Sequence, residues 1–243
     1  MNISRYFFMG VLMVALNQVN AQKKVDVLTV PAGNEFAKIN PGGRTVLPSG
    51  RFATPAGNFV RITNDPYGLV ISPDGKKAVT LHNGVFTVID LQQMDPVRVP
   101  SYDRKIKSPL SNGSFLGVAF SPDSKTVYLS GGDNGAVIVY DIEKFARLDS
   151  ISLNGKVGGT DYEDSFTSDL ILNAPKNELL ILDRGNFRMV RLDLASRKIM
   201  ASINVGRQPF GLSISPDHKT AFVANVGMYS YPLITGATEK NID

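Results

Sequence analysis

Cysteine and tryptophan are missing from the 243 residues, and histidine occurs only twice. Without cysteine there is no disulfide framework, thioether-linked haem, thiolate metal site or cysteine nucleophile. His82 and His218 are too few for a histidine-rich zinc centre or a two-metal hydrolase site. The chain also lacks a Gly-x-Ser-x-Gly elbow, a Walker loop and a His-Glu-x-x-His pair. No apolar run reaches the ~20 residues needed to span a bilayer as a helix, so no membrane span is expected. Charge of one sign is not concentrated: the formal net charge of +4 is spread along the chain, which speaks against a nucleic-acid partner. What is present is an ordinary folded composition, 43% hydrophobic and 20% charged.

Residues 1–21 read as a secretory leader. Arg5 and the amino terminus form the basic start, Tyr6 to Leu16 an apolar core, and Val19-Asn20-Ala21 a small-residue cleavage site. With no cysteine after it, a lipoprotein anchor is excluded. The expected product is exported to the periplasm or the extracellular space.

The remainder repeats itself. Four segments align: Gly68-LVISPDGKKAVTL, Gly117-VAFSPDSKTVYLS, Asp169-LILNAPKNELLIL and Gly211-LSISPDHKTAFVA. Their anchors lie 49, 52 and 42 residues apart. Behind the first three comes a second matching run, VFTVIDL, AVIVYDI and FRMVRLDL, and then a further alternating stretch, clearest as KIMASINVG. Period-two alternation between turn signals marks half-buried strands. The Ser-Pro-Asp turns and glycine-rich Gly131 to Gly135 are hairpin connections. Four short antiparallel strands per ~40–50 residues make the blade of a β-propeller. The fold class is therefore all-β, with chain for about four to five blades and a fourth unit that has only two clear strands. An N-terminal strand near Asp26 to Pro31 could complete it; otherwise the ring is incomplete.

Val205-GRQPFGLSISPDHKTAFVA-Asn225 resembles the repeat of YVTN-type β-propellers, a pattern also clear in the first and second units. The third departs from it, with Asp169 for glycine and Asn173-Ala174-Pro175 for Ser-Pro-Asp. The missing tryptophan fits this repeat better than the WD type. A narrower resemblance rests on Thr45-VLPSGRFATPA-Gly57 and Ala224-NVGMYSY-Pro232. Both are similar to segments of exported proteins that join such a propeller to an alkaline-phosphatase-like phosphoesterase domain. The resemblance implies an N-terminal propeller, with catalysis in a domain beyond Asp243. The expected divisions are the leader (1–21), N-terminal strands and an opening hairpin (22–57), blades (58–226) and an irregular segment (227–243).

In a propeller the start of each innermost strand faces the channel mouth. Asp169 stands where the other units carry Gly68, Gly117 and Gly211, and a ligand site must break the quasi-symmetry in this way. Tyr67, Phe115 and Phe210, beside those anchors, are candidates for an apolar ligand platform. Arg184 and Arg188 flank a hairpin turn and could clamp a phosphate or carboxylate, although a solvent-facing turn is the simpler reading. Asp161, Glu163 and Asp164 form an acidic loop whose carboxylates could hold Ca²⁺, but the spacing matches no EF-hand or RTX pattern and a solvated loop is the simpler reading. His82 and His218 read as exposed turn residues. No cofactor and no catalytic residue is assigned. The expected function is a binding or scaffold propeller with a small ligand or a protein partner. The alternatives are a lactonase-type enzyme using Asp169 and a cell-envelope interaction module.

Overall fold

The computed structural model describes residues 28–40, 43–54, 56–103 and 105–227. The leader, the segment Met228 to Asp243 and most of the Ala224–Pro232 motif lie outside them. Among the described residues no helix is long and apolar enough to cross a membrane.

The chain divides into two units, one up to Phe59 and one from Val60. In the first, β1 (Thr45–Val46) and β2 (Phe52–Ala53) form a short antiparallel hairpin. Glu35 takes ion pairs from Arg44 at 2.8 Å and Lys38 at 3.2 Å, and the Arg44 guanidinium lies 4.0 Å from the Phe52 ring centre. Residues 28–31 form no strand, and Asp26 and Val27, the start of the candidate N-terminal strand, lie outside the described residues.

The second unit is a row of antiparallel sheets. Blade one contains β3 (Pro66–Ile71), β4 (Lys77–His82), β5 (Val85–Asp90) and β6 (Asp95–Val99). Blade two contains β7 (Val118–Phe120), β8 (Thr126–Ser130), β9 (Ala136–Asp141) and β10 (Ala146–Ser152). A small hairpin follows, β11 (Gly155–Val157) with β12 (Thr160–Tyr162). Blade three is β13 (Thr167–Asn173), β14 (Glu178–Asp183), β15 (Arg188–Asp193) and β16 (Lys198–Asn204). Blade four shows two strands among the described residues, β17 (Pro209–Ile214) and β18 (Ala221–Asn225), and the sheets do not close into a ring.

Each Ser-Pro-Asp turn closes in the same way. The Ser72 hydroxyl donates to Asp74 at 2.6 Å and accepts the Lys77 N–H at 2.9 Å, while Asp74 accepts the Lys76 N–H at 3.0 Å. Ser121 with Asp123 and Ser215 with Asp217 repeat this set. These serine hydrogen bonds hold the three carboxyls below their ordinary 3.8. Next comes a residue of positive φ, Gly75 at +70°, Ser124 at +62° and His218 at +57°. A second recurrent device ends the third strand of each complete blade. Asp90, Asp141 and Asp193 accept backbone N–H groups two or three residues on, at 2.7 to 2.9 Å. These bonds turn the chain into the fourth strand.

Both faces of the middle strands are buried, which is why they read as almost continuous apolar runs. Val118, Leu129 and Ile138 face blade one, packing with Leu81, Phe86 and Val88. Their neighbours Ala119 and Val137 face blade three, packing with Leu179, Ile181 and Leu192. The alternate residues Leu180 and Leu182 meet Leu212 and Val223 of blade four.

Candidate functional site

The innermost strands wall a cavity of about 410 Å³, within the usual size range of small-molecule sites. Leu69, Ile71, Leu116, Phe120 and Leu212 are among the residues that make it apolar, and Asp169 is the one charged residue in its wall. Asp169 lies in a register slip of β13 between Thr167 and Leu170; matching slips occur at Pro66/Gly68 and Pro209/Gly211. Such bulges re-aim a side chain out of the strand's alternation. Here the carboxylate accepts the Leu170 N–H and, from blade four, the Leu212 N–H, both at 2.8 Å. Burial pushes its pKa above 3.8, and the two N–H groups pull it back.

Glycine has a steric reason at two of the equivalent positions, Gly68 and Gly117, whereas a Cβ on Gly211 would meet the Ala224 Cβ at an ordinary 3.7 Å. A Cβ on Gly68 would lie 2.5 Å from the Leu116 carbonyl oxygen, and one on Gly117 2.8 Å from the Leu170 nitrogen. Blades one, two and three approach backbone to backbone at these points. Between blades three and four a carboxylate spans the gap instead.

The aromatic candidates divide. Tyr67 and Phe115 come from adjacent blades and pack edge to face, with ring centres 5.1 Å apart. Tyr67 remains 54% exposed, so the pair offers an accessible apolar surface where the inner strands begin. Phe210, 38% exposed, is the counterpart in blade four.

The Asp183–Arg188 turn departs from the solvent-facing reading. Arg188 and Asp183 are both fully buried and paired at 2.8 Å. The guanidinium also donates to the Leu153 carbonyl at 2.7 Å and the Ser165 hydroxyl at 3.3 Å, and lies 3.6 Å from the Tyr162 ring centre. Arg188 thus ties blade three to the end of blade two. Arg184 is half-buried and bonds the Gln208 side chain at the start of blade four. The two arginines serve opposite interfaces rather than a common anion.

The acidic segment is partly ordered by β11 and β12, whose Gly158-Gly159 turn has φ of +58° and +93°. Positive φ at both centres suits a tight hairpin, and the Gly158-Gly159 pair is its signal in the sequence. Asp161, Glu163 and Asp164 are exposed. Among the described residues no group of three or more His, Asp or Glu converges to hold a metal ion.

His82 also corrects its sequence reading: it is 1% exposed. Its Nδ1 lies 2.8 Å from the Asn64 carbonyl, which can only accept, so Nδ1 carries the proton. Nε2 then accepts from the Thr80 hydroxyl at 2.8 Å, with the Thr87 hydroxyl 3.2 Å away. Desolvation lowers its pKa, which suits this neutral form. Thr80 and Thr87 are two threonines among apolar neighbours on facing strands, the one sequence signal that a polar group was buried there. His218 stays half-exposed in its turn.

Among solved structures, the chain is similar to Kuenenia stuttgartiensis hydrazine synthase, with a TM-score of 0.51 and 16% identity over 72% of this chain and 47% of that one. It is also similar to U3-55K, at a TM-score of 0.47 and 13% identity over 61% and 42% of the two chains. The fold is a β-propeller. The propeller spans less than half the length of either structure it matches. No family model and no curated protein matches it.

Proposed function

We propose that this propeller is an exported, non-catalytic binding domain of the YVTN type, the N-terminal part of a longer propeller–phosphoesterase protein. The observation that carries the binding reading is the engagement of Asp169. The one carboxylate in the cavity wall is occupied by two backbone N–H groups and braces blades three and four. The remaining wall suits apolar contact better than acid–base chemistry, which needs a proton-transfer group free to reach substrate. The link to a phosphoesterase rests on the two similar segments, and the first of them, Thr45–Gly57, contains a hairpin at β1 and β2.

The test has two arms. Purified chain incubated with sugar lactones and p-nitrophenyl phosphate is expected to give no turnover above buffer. Lactone turnover abolished by Asp169→Ala would overturn the binding reading in favour of a lactonase. In extracts of the source cells, antiserum against the propeller is expected to detect an exported product much longer than 243 residues that hydrolyses phosphate esters. A stable exported product of the propeller alone would overturn the phosphoesterase link and leave the binding reading standing.

A further inference from the structure

Away from the central cavity, a hollow of about 650 Å³ opens between β6, the loop that follows it and the β9–β10 turn. It shares no lining residue with the central cavity. Val97, Ile106, Tyr140 and Phe145 give it apolar walls. Ile106 and Phe145 are 53% and 43% exposed, so this apolar surface is open to a ligand. Three cationic residues, Arg98, Lys107 and Arg147, line the same hollow, and no Asp or Glu does. A neighbouring hollow of about 500 Å³ shares Val97, Arg98 and Ser101 and brings in Arg61.

The ion pairing of these groups is unlike that elsewhere in the fold. Arg188, Arg191 and Arg197 pair with Asp183, Glu178 and Asp149. Among the described residues, Arg98, Lys107 and Arg147 have no acidic partner within ion-pair distance. Arg98 donates through Nη1 to the Pro100 and Ser101 carbonyls and lies 4.7 Å from the Tyr102 ring centre. Its Nε is cut off from solvent and has no hydrogen-bond partner. A desolvated donor left without an acceptor is costly, and native folds rarely leave one so. An anionic oxygen entering the hollow would pair with the cationic heads of Arg98, Lys107 and Arg147 that line it, while the adjoining walls would take an apolar body.

We propose that this groove binds a small amphipathic organic anion, an alkyl or aryl body bearing one carboxylate or sulfonate. The proposal goes beyond the central cavity and stands whether or not a phosphoesterase domain follows. The probe is 8-anilinonaphthalene-1-sulfonate, titrated by fluorescence into the purified chain. Saturable one-site binding is expected, displaced by laurate but not by dodecyltrimethylammonium, and weaker at high ionic strength. Arg98→Gln should weaken it about fivefold or more. The double variant Lys107→Gln/Arg147→Gln should weaken it about threefold, because those heads are solvent-exposed. Both are exposed positions, so this pair tests the site even if Arg98→Gln fails to fold. Phe145→Ala should also weaken binding. Unchanged affinity in the groove variants that fold, or equal displacement by the cationic amphiphile, overturns the proposal.

Discussion

The interface between blades two and three and the one between blades three and four join similar blades by different means. The first is tightly buried: Leu179, Ile181 and Leu192 are fully buried against Val137 and Leu153. It also contains the Asp183–Arg188 pair, sealed by Tyr162. The second has fewer buried apolar residues, and Leu212, Ile214 and Val223 are only partly buried. Polar bridges join it: Asp169 to the Leu212 N–H, the Ser168 hydroxyl to the Pro209 carbonyl at 3.0 Å, and Arg184 to Gln208. The repeat motif thus builds a blade, while the side chains that differ from one unit to the next decide how blades are joined. In repeat architectures stability is close to a sum of unit and neighbour-interface contributions, so the two interfaces can be broken separately.

The largest effect is expected at the buried pair. Arg188→Ala leaves Asp183 charged and buried, and should cost about 3–5 kcal/mol in urea unfolding; replacement of exposed Arg197, which pairs with Asp149, should cost less than about 1 kcal/mol. Identical truncations then compare the packing. Ile181→Ala should cost about 3 kcal/mol and the half-buried Ile214→Ala about 1 kcal/mol. Equal costs would show that the blade-four interface is as tight as its neighbour.

Blade one supplies a test by pH. Because burial holds His82 below its ordinary 6.5, the unfolded chain takes up a proton more readily than the folded one. His82 should therefore leave stability intact above about pH 7 and erode it as pH falls through about 6.5 towards the folded value. In His82→Gln, the urea midpoint should change less between about pH 7.5 and 5.5. The Ser-Pro-Asp carboxyls have the same sign but a lower window. Held below 3.8, they contribute above that value and lose their contribution only as pH drops through their folded values.

The smallest contrast lies in the turns. His218→Gly relieves a left-handed residue and should stabilise by roughly 0.5 kcal/mol. Ser124→Gly should instead destabilise slightly, because the Ser124 hydroxyl accepts the Asp74 N–H of blade one at 3.1 Å. Calorimetric melting temperatures moving in opposite directions would bear this out; a shared direction would count against the blade-to-blade bond.

Local chemistry made much of the fold legible. The Ser-Pro-Asp turns, the alternating runs and the glycine-rich connections each specify a hairpin from within a dozen residues, and the strands lie where that pattern places them. The bonds made by Asp90, Asp141 and Asp193 are equally local; the aspartates recur in the aligned runs, and only their hydrogen bonds reveal what they do. The candidate site was less legible. The sequence marks Asp169 as the break in a row of glycines, but its partner Leu212 is 43 residues away. Arg188 and His82 sit beside turns, where exposure is the reasonable expectation. Their burial depends on Tyr162 and Asn64, residues outside the hairpins that carry them.

The sequence by itself determined the blade: strand length and turn chemistry follow from period-two alternation and short-range hydrogen bonds, and two-sided burial from the almost continuous apolar runs of the middle strands. The tertiary structure alone decided which polar groups face inward. That choice depends on how closely neighbouring blades approach, from the backbone contact that only Gly68 and Gly117 permit to the wider gap that the Asp169 carboxylate spans. Such spacing is set by side chains brought together from separate repeats, so no single stretch of the chain encodes it.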